Sequence, residues 1–338
     1  MKIAFIARAD NTGLGVESWE FARHFPKAKA IIVDLSADNE HKDLYKLHLD
    51  RFNKHVVAIP ETLKNAIVRE LKGYTMLLSF ETFYDARIVE IAREMGIKTV
   101  LRVNYEWLEV ENYINKHKPD MFIAPSLWEF ESYPHPAKYI PYPIHRQVLP
   151  FDLKTKAKKF IHIAGNMKAG YDRNGTKAFL EAIPLIKNKN IEIIIKSQVP
   201  IECNDKRVRV DVTNHDNYFD IWEKADVYVS PRRYAGQSLP LNEAMSLGMA
   251  IMMTDMKPQN QFLPKELLIQ PREINTIEIK GNTIEYAEIE PKEIAKKIDE
   301  IAGKDIKKYS IASDEIAHNW SWDKLKEKYD NLFKNICQ

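Results

Sequence analysis

Cysteine is nearly absent: Cys203 and Cys337 are the only two in 338 residues, far apart and in no C-x-x-C pair. That excludes a disulfide-stapled scaffold and a cysteine zinc site, and with no secretory apolar segment after Met1 it points to a cytoplasmic chain. No run approaches the roughly 20 apolar residues that cross a bilayer, so no membrane span is expected. Charge of either sign is not in excess: 50 Lys and Arg against 48 Asp and Glu leave a net +2. Nothing therefore advertises nucleic acid or an anionic membrane, although a local basic patch stays open. The ten histidines never fall at H-x-x-x-H or H-E-x-x-H spacing, and no G-x-S-x-G occurs, so no metal site and no hydrolase elbow is expected. What remains is a globular composition, 45% hydrophobic and 29% charged, long enough for two domains that each bury a core.

The most informative stretch is residues 225 to 255, ADVYVSPRRYAGQSLPLNEAMSLGMAIMMTD. An apolar run (Val227 to Val229) meets Pro231, a basic pair and a small-residue loop. An amphipathic segment from Leu239 to Gly248 follows, then a second apolar run from Ala250 to Met253. That is strand, loop, helix, strand, the unit of a parallel sheet. A small-residue loop entering a helix leaves backbone N–H groups and a dipole that suit a phosphate. Glu243, just inside that helix, is placed to accept hydrogen bonds from a ribose diol. Together they suggest a nucleoside diphosphate, while an ordinary strand–helix–strand unit with Glu243 as a helix-surface charge fits the same pattern.

Gly236, Leu239, Pro240, Glu243, Ala244 and Gly248 resemble the donor-site signature of the family 4 retaining glycosyltransferases, E-G-F-G-L-P-x-x-E-A-x-x-x-G. The flanking P-R-R-Y-x-G is similar to the form seen in phage-encoded members. The resemblance implies the GT-B fold, α/β with two Rossmann-like domains facing across a cleft. It implies a nucleoside-diphosphate sugar (UDP or GDP type) as co-substrate and no other cofactor, and transfer with retention and without metal. Glu243 and the backbone of Gly236, Gln237, Ser238 and Leu239 would hold the nucleotide, with Arg232 adding charge. The first Glu of the family's pair, which touches the donor sugar, is Ala235 here. The DxD pair that carries metal in the other large glycosyltransferase fold does not occur either. A phage-encoded chain would work in the host cytoplasm.

In chain order, Ile3 to Ala7 read as a buried strand, and Asn11, Thr12, Gly13, Leu14 and Gly15 precede a helix carrying Val16, Trp19, Ala22 and Phe25. A strand, a Gly-x-Gly turn and a helix start open a Rossmann-like half. Gly13 and Gly15 are thus candidate cleft residues or simply a tight turn for close packing. Strand-like runs at 30–35, 55–60, 75–80, 98–103 and 121–126 alternate with helical ones at 61–72 and 84–96, which argues for a parallel sheet whose ligands collect at strand carboxyl ends. Those ends carry Glu81, then Asn104, Tyr105 and Glu106. They suit a sugar-like or planar acceptor, and equally well serve as polar strand caps. Where the family often places a His, this chain has Asn104 and Tyr105.

Residues 139–157 hold Pro141, Pro143 and Pro150 before a lysine-rich run and read as a linker. Strand-like 158–165 then leads into a polar loop with Gly165, Lys168, Gly170, Arg173 and Gly175, and a helix with Phe179, Leu180, Ile183 and Ile186. Cations in a glycine-rich loop at a helix start are placed to neutralise a leaving diphosphate. The family has G-R-x-x-x-x-K-G here; this chain keeps Gly165, has Asn166 in place of the Arg, and offers Arg173 and Gly175 for the Lys-Gly. Arg173 is the expected leaving-group cation, Lys168 the second. Strands at 191–198 and 208–214, a helix at 217–225, a hairpin around Gly281-Asn282 without assigned function, and a terminal helix after Ser321 complete the chain.

The expected organisation is an acceptor domain over 1–145, a nucleotide-sugar donor domain over 146–318 and a helix, 319–338, crossing back to the first domain. The expected activity moves a sugar to an unidentified acceptor, whether glycan, protein, small molecule or modified DNA. Glu106 or Glu81, or a donor phosphate oxygen, would take the acceptor proton. A phage-type DNA glycosyltransferase, a catalytically silent nucleotide-sugar binding protein and a nucleotide-sugar isomerase on the same fold are the alternatives.

Overall fold

The computed structural model describes residues 1–36, 45–134, 136–144, 146, 148–165, 172–213, 215, 217–222, 224–236 and 238–338. It divides into two compact units, one of residues Met1–Pro141, Ile279–Asn282 and Trp322–Gln338, the other of Tyr142–Glu278 and Thr283–Ser321.

The first unit runs β1 (Ile3–Ala7), α1 (Gly13–His24), β2 (Lys29–Val33), β3 (His55–Ala58), α2 (Leu63–Glu70), β4 (Met76–Phe80), α3 (Ile88–Glu94), β5 (Lys98–Arg102), β6 (Met121–Ala124) and β7 (Ala137–Tyr139). Its seven strands lie in the order β3-β2-β1-β4-β5-β6-β7, every recorded pair parallel. β4 is buried along its whole length, which is why its sequence is apolar on both faces rather than alternating, apart from Ser79, whose hydroxyl donates to the Thr82 carbonyl. β7 was not expected and overlaps the expected linker, 139–157, only at Tyr139; as the last strand of the sheet it needs only an extended backbone to pair with β6.

The second unit runs β8 (Lys159–Gly165), α4 (Thr176–Ala182), β9 (Glu192–Ser197), β10 (Val208–Asp211), β11 (Val227–Ser230), α5 (Leu239–Ser246) and β12 (Ala250–Met253). The order is β10-β9-β8-β11-β12, again parallel. Successive side chains point to opposite faces. Phe160, Ile193, Ile195, Val227, Val229 and Met252 build one core, and Ile161, Ile194, Tyr228, Ile251 and Met253 the other. Each such side chain, fully buried, contributes roughly 1.5–3 kcal/mol. The helix expected at 217–225 is a shorter 3-10 turn, Tyr218–Trp222, in which both Tyr218 and Trp222 donate to Glu243.

A two-stranded hairpin follows, β13 (Glu273–Ile279) and β14 (Asn282–Glu288). Its connecting residues are Lys280 and Gly281, both with positive φ, so the turn lies one residue earlier than Gly281-Asn282, as the paired left-handed positions of a two-residue loop require. α6 (Pro291–Ile301) and α7 (Lys307–Asn319) occupy a stretch that the sequence reading left unassigned. α8 (Trp322–Ile336) belongs to the first unit. There Trp322 stacks on His24 with ring centroids 4.3 Å apart, and Arg102, ion-paired with Glu17, donates to the Tyr329 hydroxyl at 2.7 Å.

α1 buries a second acid, Glu20, 8% exposed. Burial pushes its carboxyl up to about 8 from an ordinary 4.5, against the opposing charge of Arg23. Arg23 lies 3.9 Å away but is itself one-third exposed, so desolvation outweighs it. Between the two values the unfolded chain releases a proton that the folded chain keeps. The contribution to stability is thus full below about pH 4.5 and is lost as pH rises to about 8. Glu20→Gln is expected to match wild type in chemical denaturation at pH 5 and to exceed it at pH 8 by on the order of 1–3 kcal/mol. Equal stability at pH 8 would mean that the buried carboxyl ionises without cost.

Candidate functional site

In each parallel sheet the chain steps outward on one side and then on the other, and the crevice where the direction reverses is the usual place for a ligand. In the second unit that point lies between β8 and β11. β8 ends at Gly165, whose φ of 67° is left-handed; β11 ends at Ser230 and feeds Pro231, Arg232 and Arg233.

The loop before α4 is tied down at several points. Asn174 donates to the Ala164 carbonyl at 2.9 Å, and Arg233 N donates to the Arg173 carbonyl at 2.9 Å. At α4 itself, Asp172 accepts from Thr176 N (2.8 Å) and Lys177 N (2.7 Å). A carboxylate of the chain thus already caps this helix, so its first N–H groups are taken by Asp172. His162, wholly buried in β8, hydrogen-bonds the Val229 carbonyl and Thr176 Oγ1, each at 2.9 Å. Burial lowers its pKa to about 4, so a neutral ring pins the start of α4 to β11.

Gly175 closes this packing: a Cβ there would sit 1.9 Å from the Pro231 carbonyl oxygen, and its φ is 69°. Gly175→Ala is expected to lose at least about 2 kcal/mol in chemical denaturation, since both clash and backbone strain apply. Gly165→Ala, with only the Asn174 amide 3.2 Å away, should lose about 1 kcal/mol. Equal losses would show that strain alone operates.

α5 is capped at Ser238, which makes no side-chain cap, and carries a Pro in its first turn. Pro has no N–H to leave unpaired, which suits the first turn of a helix. Glu243 is 5% exposed, which overturns its reading as a helix-surface charge. Its Oε2 accepts from Trp222 Nε1 at 3.0 Å and the Tyr218 hydroxyl at 3.4 Å. Burial, reinforced by the Glu243 charge, drives the Tyr218 pKa well above 10. Burial raises the Tyr228 pKa, with the charge of Arg232 opposing and that of Glu243 adding to it. Arg232 is buried as well. Gly236 gives its carbonyl to the Gln259 amide at 3.3 Å, so the loop entering α5 is held from β12's side. Lys168 and Gln237 lie outside the described residues, as do Asn166 and Gly170.

A further cluster stands at the ends of β9 and β10. Lys196 donates to Asp211 and, at 2.7 Å, to His215 Nε2; an ammonium only donates, so this ring nitrogen accepts. Burial pushes the Asp211 carboxyl up, but Lys196 and Thr213 outweigh it and hold it below the usual carboxylate range. Neither this cluster nor the Tyr218–Trp222 pair was read from sequence as functional. The Y-x-x-x-W spacing just before β11 was the available signal for the pair.

In the first unit the reversal lies between β1 and β4. After β1, Arg8 pairs with the buried Asp10, and Asp10 accepts from Thr12 N at 3.0 Å and Thr12 Oγ1 at 2.5 Å. Gly13 is the exposed first residue of α1. Gly15 is buried, and a Cβ there would lie 2.0 Å from the Asp10 carbonyl oxygen, so this glycine is required by close packing. Glu81, after β4, has φ 61°, and Tyr84 φ 64°; two non-glycine residues in the left-handed region at one strand end store strain of the kind that gathers at ligand sites. After β5 come Asn104, buried, then Tyr105 and the buried Glu106 on a 3-10 turn, Tyr105–Trp107. Burial raises the Tyr133 pKa well above 10, with the charge of Glu106 adding to it. The first-unit candidates thus stand at the ends of three adjacent strands, β1, β4 and β5, and the second-unit candidates around β8, β11 and α5.

Among the described residues no group of three or more His, Cys, Asp or Glu is placed to hold a metal ion, and no helix is long and apolar enough to cross a membrane. Residues 158–300 match the family model "Glycosyl transferases group 1". No curated protein matches the sequence. Among solved structures, the chain is similar to Anabaena Alr3699/HepE in complex with UDP-glucose, with TM-score 0.70 and 12% identity over 99% of this chain and 100% of that one. It is similar to sucrose-phosphate synthase from Thermosynechococcus elongatus, with TM-score 0.64 and 13% identity over 99% of each chain. A glycosyltransferase from Rickettsia africae ESF-5 gives TM-score 0.65 and 10% identity over 100% of this chain and 98% of that one. At such identities the likeness is one of fold: two parallel-sheet units of the GT-B kind.

Proposed function

Because residues 158–300 carry a glycosyl transferases group 1 domain within a GT-B fold, we propose that the protein transfers a sugar from a nucleoside diphosphate of UDP or GDP type to an acceptor hydroxyl. The reading is of a family 4 enzyme that acts with retention and without metal. The second unit takes the donor and the first presents the acceptor. Glu243 carries the reading: a carboxylate buried in α5 and oriented by Trp222 and Tyr218 is placed for a ribose diol and too desolvated to be decoration.

In the reaction the bond between the sugar C1 and the diphosphate oxygen breaks, and one between C1 and the acceptor oxygen forms. The diphosphate leaves with the bonding electron pair, and its growing negative charge needs stabilisation that strengthens in the transition state. Arg173, Arg232 and the N–H groups at the start of α5 supply it, with Lys168 as a further cation. The acceptor proton passes to Glu106, to Glu81 or to a phosphate oxygen of the donor. Ala235, buried where the family's sugar-contacting Glu stands, favours one second reading, binding of the donor without turnover.

Calorimetric titration of UDP, GDP and ADP, with and without common sugars, tests the proposal. Binding of one nucleotide near micromolar Kd supports it and names the base. No binding at millimolar concentration of any of the three overturns it. The HepE structure holds UDP-glucose, so UDP is the first ligand to try. Release of UDP from bound UDP-glucose separates an enzyme from a silent binder.

A further inference from the structure

The hairpin had no role in the sequence reading; its tip, Ile279–Asn282, belongs to the first unit, as does the turn that carries Tyr105 and Glu106. Asn282, 2% exposed, donates through its side-chain amide to the Tyr105 carbonyl at 3.2 Å and to the Leu108 carbonyl at 2.5 Å. The Lys280 carbonyl accepts from Val110 N at 3.3 Å. Lys280 Nζ reaches Glu109 Oε1 at 2.8 Å and stands 5.6 Å from the centre of the Trp107 ring. Gly281, at φ 86°, lies so flush that a Cβ would be 3.3 Å from Val110 Cβ. All of these residues belong to the first unit.

We propose that Asn282 is a positioning residue for the acceptor-side turn, fixing Glu106 and Tyr105 by clamping the carbonyls at the two ends of the turn. This rests on the reading of those two residues as acceptor-side groups. A three-residue 3-10 turn held by Trp107 N to Asn104 O (2.9 Å) and Leu108 N to Tyr105 O (3.1 Å) is too short to set its own geometry. Orientation must come from outside the turn. A neutral amide offers two N–H groups at once; a hydroxyl offers one and a carboxylate none. Asparagine at this position therefore matches two convergent carbonyls, where aspartate would face both with like charge.

The test compares wild type, Asn282→Asp and Asn282→Ser, with UDP-glucose as donor and water as acceptor. Asn282→Asp is expected to lower kcat for UDP release at least 10-fold and Asn282→Ser by less. KM for UDP-glucose and the calorimetric Kd for UDP should stay within twofold, and amide hydrogen exchange over 105–110 should quicken at least 10-fold. A folded Asn282→Asp with wild-type kcat overturns the proposal. So does a loss of UDP affinity as large as the loss in kcat, which would put Asn282 on the nucleotide side. Should wild type bind or turn over neither ligand, the donor reading has failed separately. Exchange then decides the clamp: unchanged protection over 105–110 overturns it, and a rise confined to that segment supports it. If Asn282→Asp does not fold, Asn282→Ser and Lys280→Ala carry the same comparison.

Discussion

Glu243→Ala is expected to weaken binding of the nucleoside diphosphate by roughly 100- to 10,000-fold, measured by calorimetry beside wild type. A carboxylate accepting two hydroxyl hydrogen bonds in a dry site contributes about 1.5–3 kcal/mol per bond, and each 1.4 kcal/mol is a factor of ten. The alanine variant also strands the Trp222 indole N–H, which donates to Glu243 at 3.0 Å, so some of its loss reflects an unmet donor rather than a missing ligand contact. Glu243→Gln separates the two. Its carbonyl can still accept from Trp222, while the charge and one acceptor are gone, and the expected loss is roughly 10- to 30-fold. If Glu243→Gln binds as wild type does, the carboxylate belongs to the core of α5 and the ribose contact lies elsewhere.

Arg173→Ala is expected to lower kcat by roughly 100- to 1000-fold, with no more than about a 10-fold change in nucleotide affinity. The asymmetry follows from chemistry. The diphosphate gains charge as the glycosidic bond breaks, so a fixed cation near it is worth more in the transition state than in the bound complex; removal of one such donor costs about 2.7–4 kcal/mol. Arg173 is well placed to be fixed, because its carbonyl receives Arg233 N and its neighbour Asn174 is bonded to the end of β8. Arg173→Lys should recover only part of the rate, since an ammonium cannot make the two-pronged contact of a guanidinium. Equal losses in kcat and affinity would instead assign Arg173 to uniform binding. Loss of activity in Arg232→Ala with Arg173→Ala intact would move the leaving-group role to the buried guanidinium.

The fold was largely legible before any coordinates. Fully buried parallel strands are apolar on both faces, and Ala250–Met253 carries that signature without interruption, Met76–Phe80 and Val227–Ser230 with a single buried serine each. The helix at 217–225 failed as an expectation because its aromatic spacing looks like a helical stripe, whereas Tyr218 and Trp222 are drawn together by one carboxylate some twenty residues away. The strand Ala137–Tyr139 was missed because pairing at the end of a sheet demands no particular side chain.

The candidate site was legible in kind but not in its contacts. Gly236, Pro240 and Glu243 stood out because helix start, glycine and acid sit within one short segment, and the structure places Gly236 and Pro240 at the entry to α5 and Glu243 buried within it. That Asp172 occupies the first N–H groups of the helix at 176–182 was not legible, because an acid in a polar loop reads as a solvated charge until the fold turns it onto the helix. Gly15 read as either a ligand glycine or a packing glycine, and the approach to Asp10 shows why only glycine fits.

From sequence alone came the rhythm of strand and helix and the glycine, proline and acid motif at 236–248, because each rests on propensity, periodicity or spacing within about a dozen residues. Folding was needed to show what lies far apart in the chain. Only there do Trp222 and Tyr218 hold Glu243, does Gly175 close on Pro231, and does Asn282 clasp a turn more than 170 residues earlier. Such contacts depend on where the packed sheets bring their loops, and no local pattern encodes that.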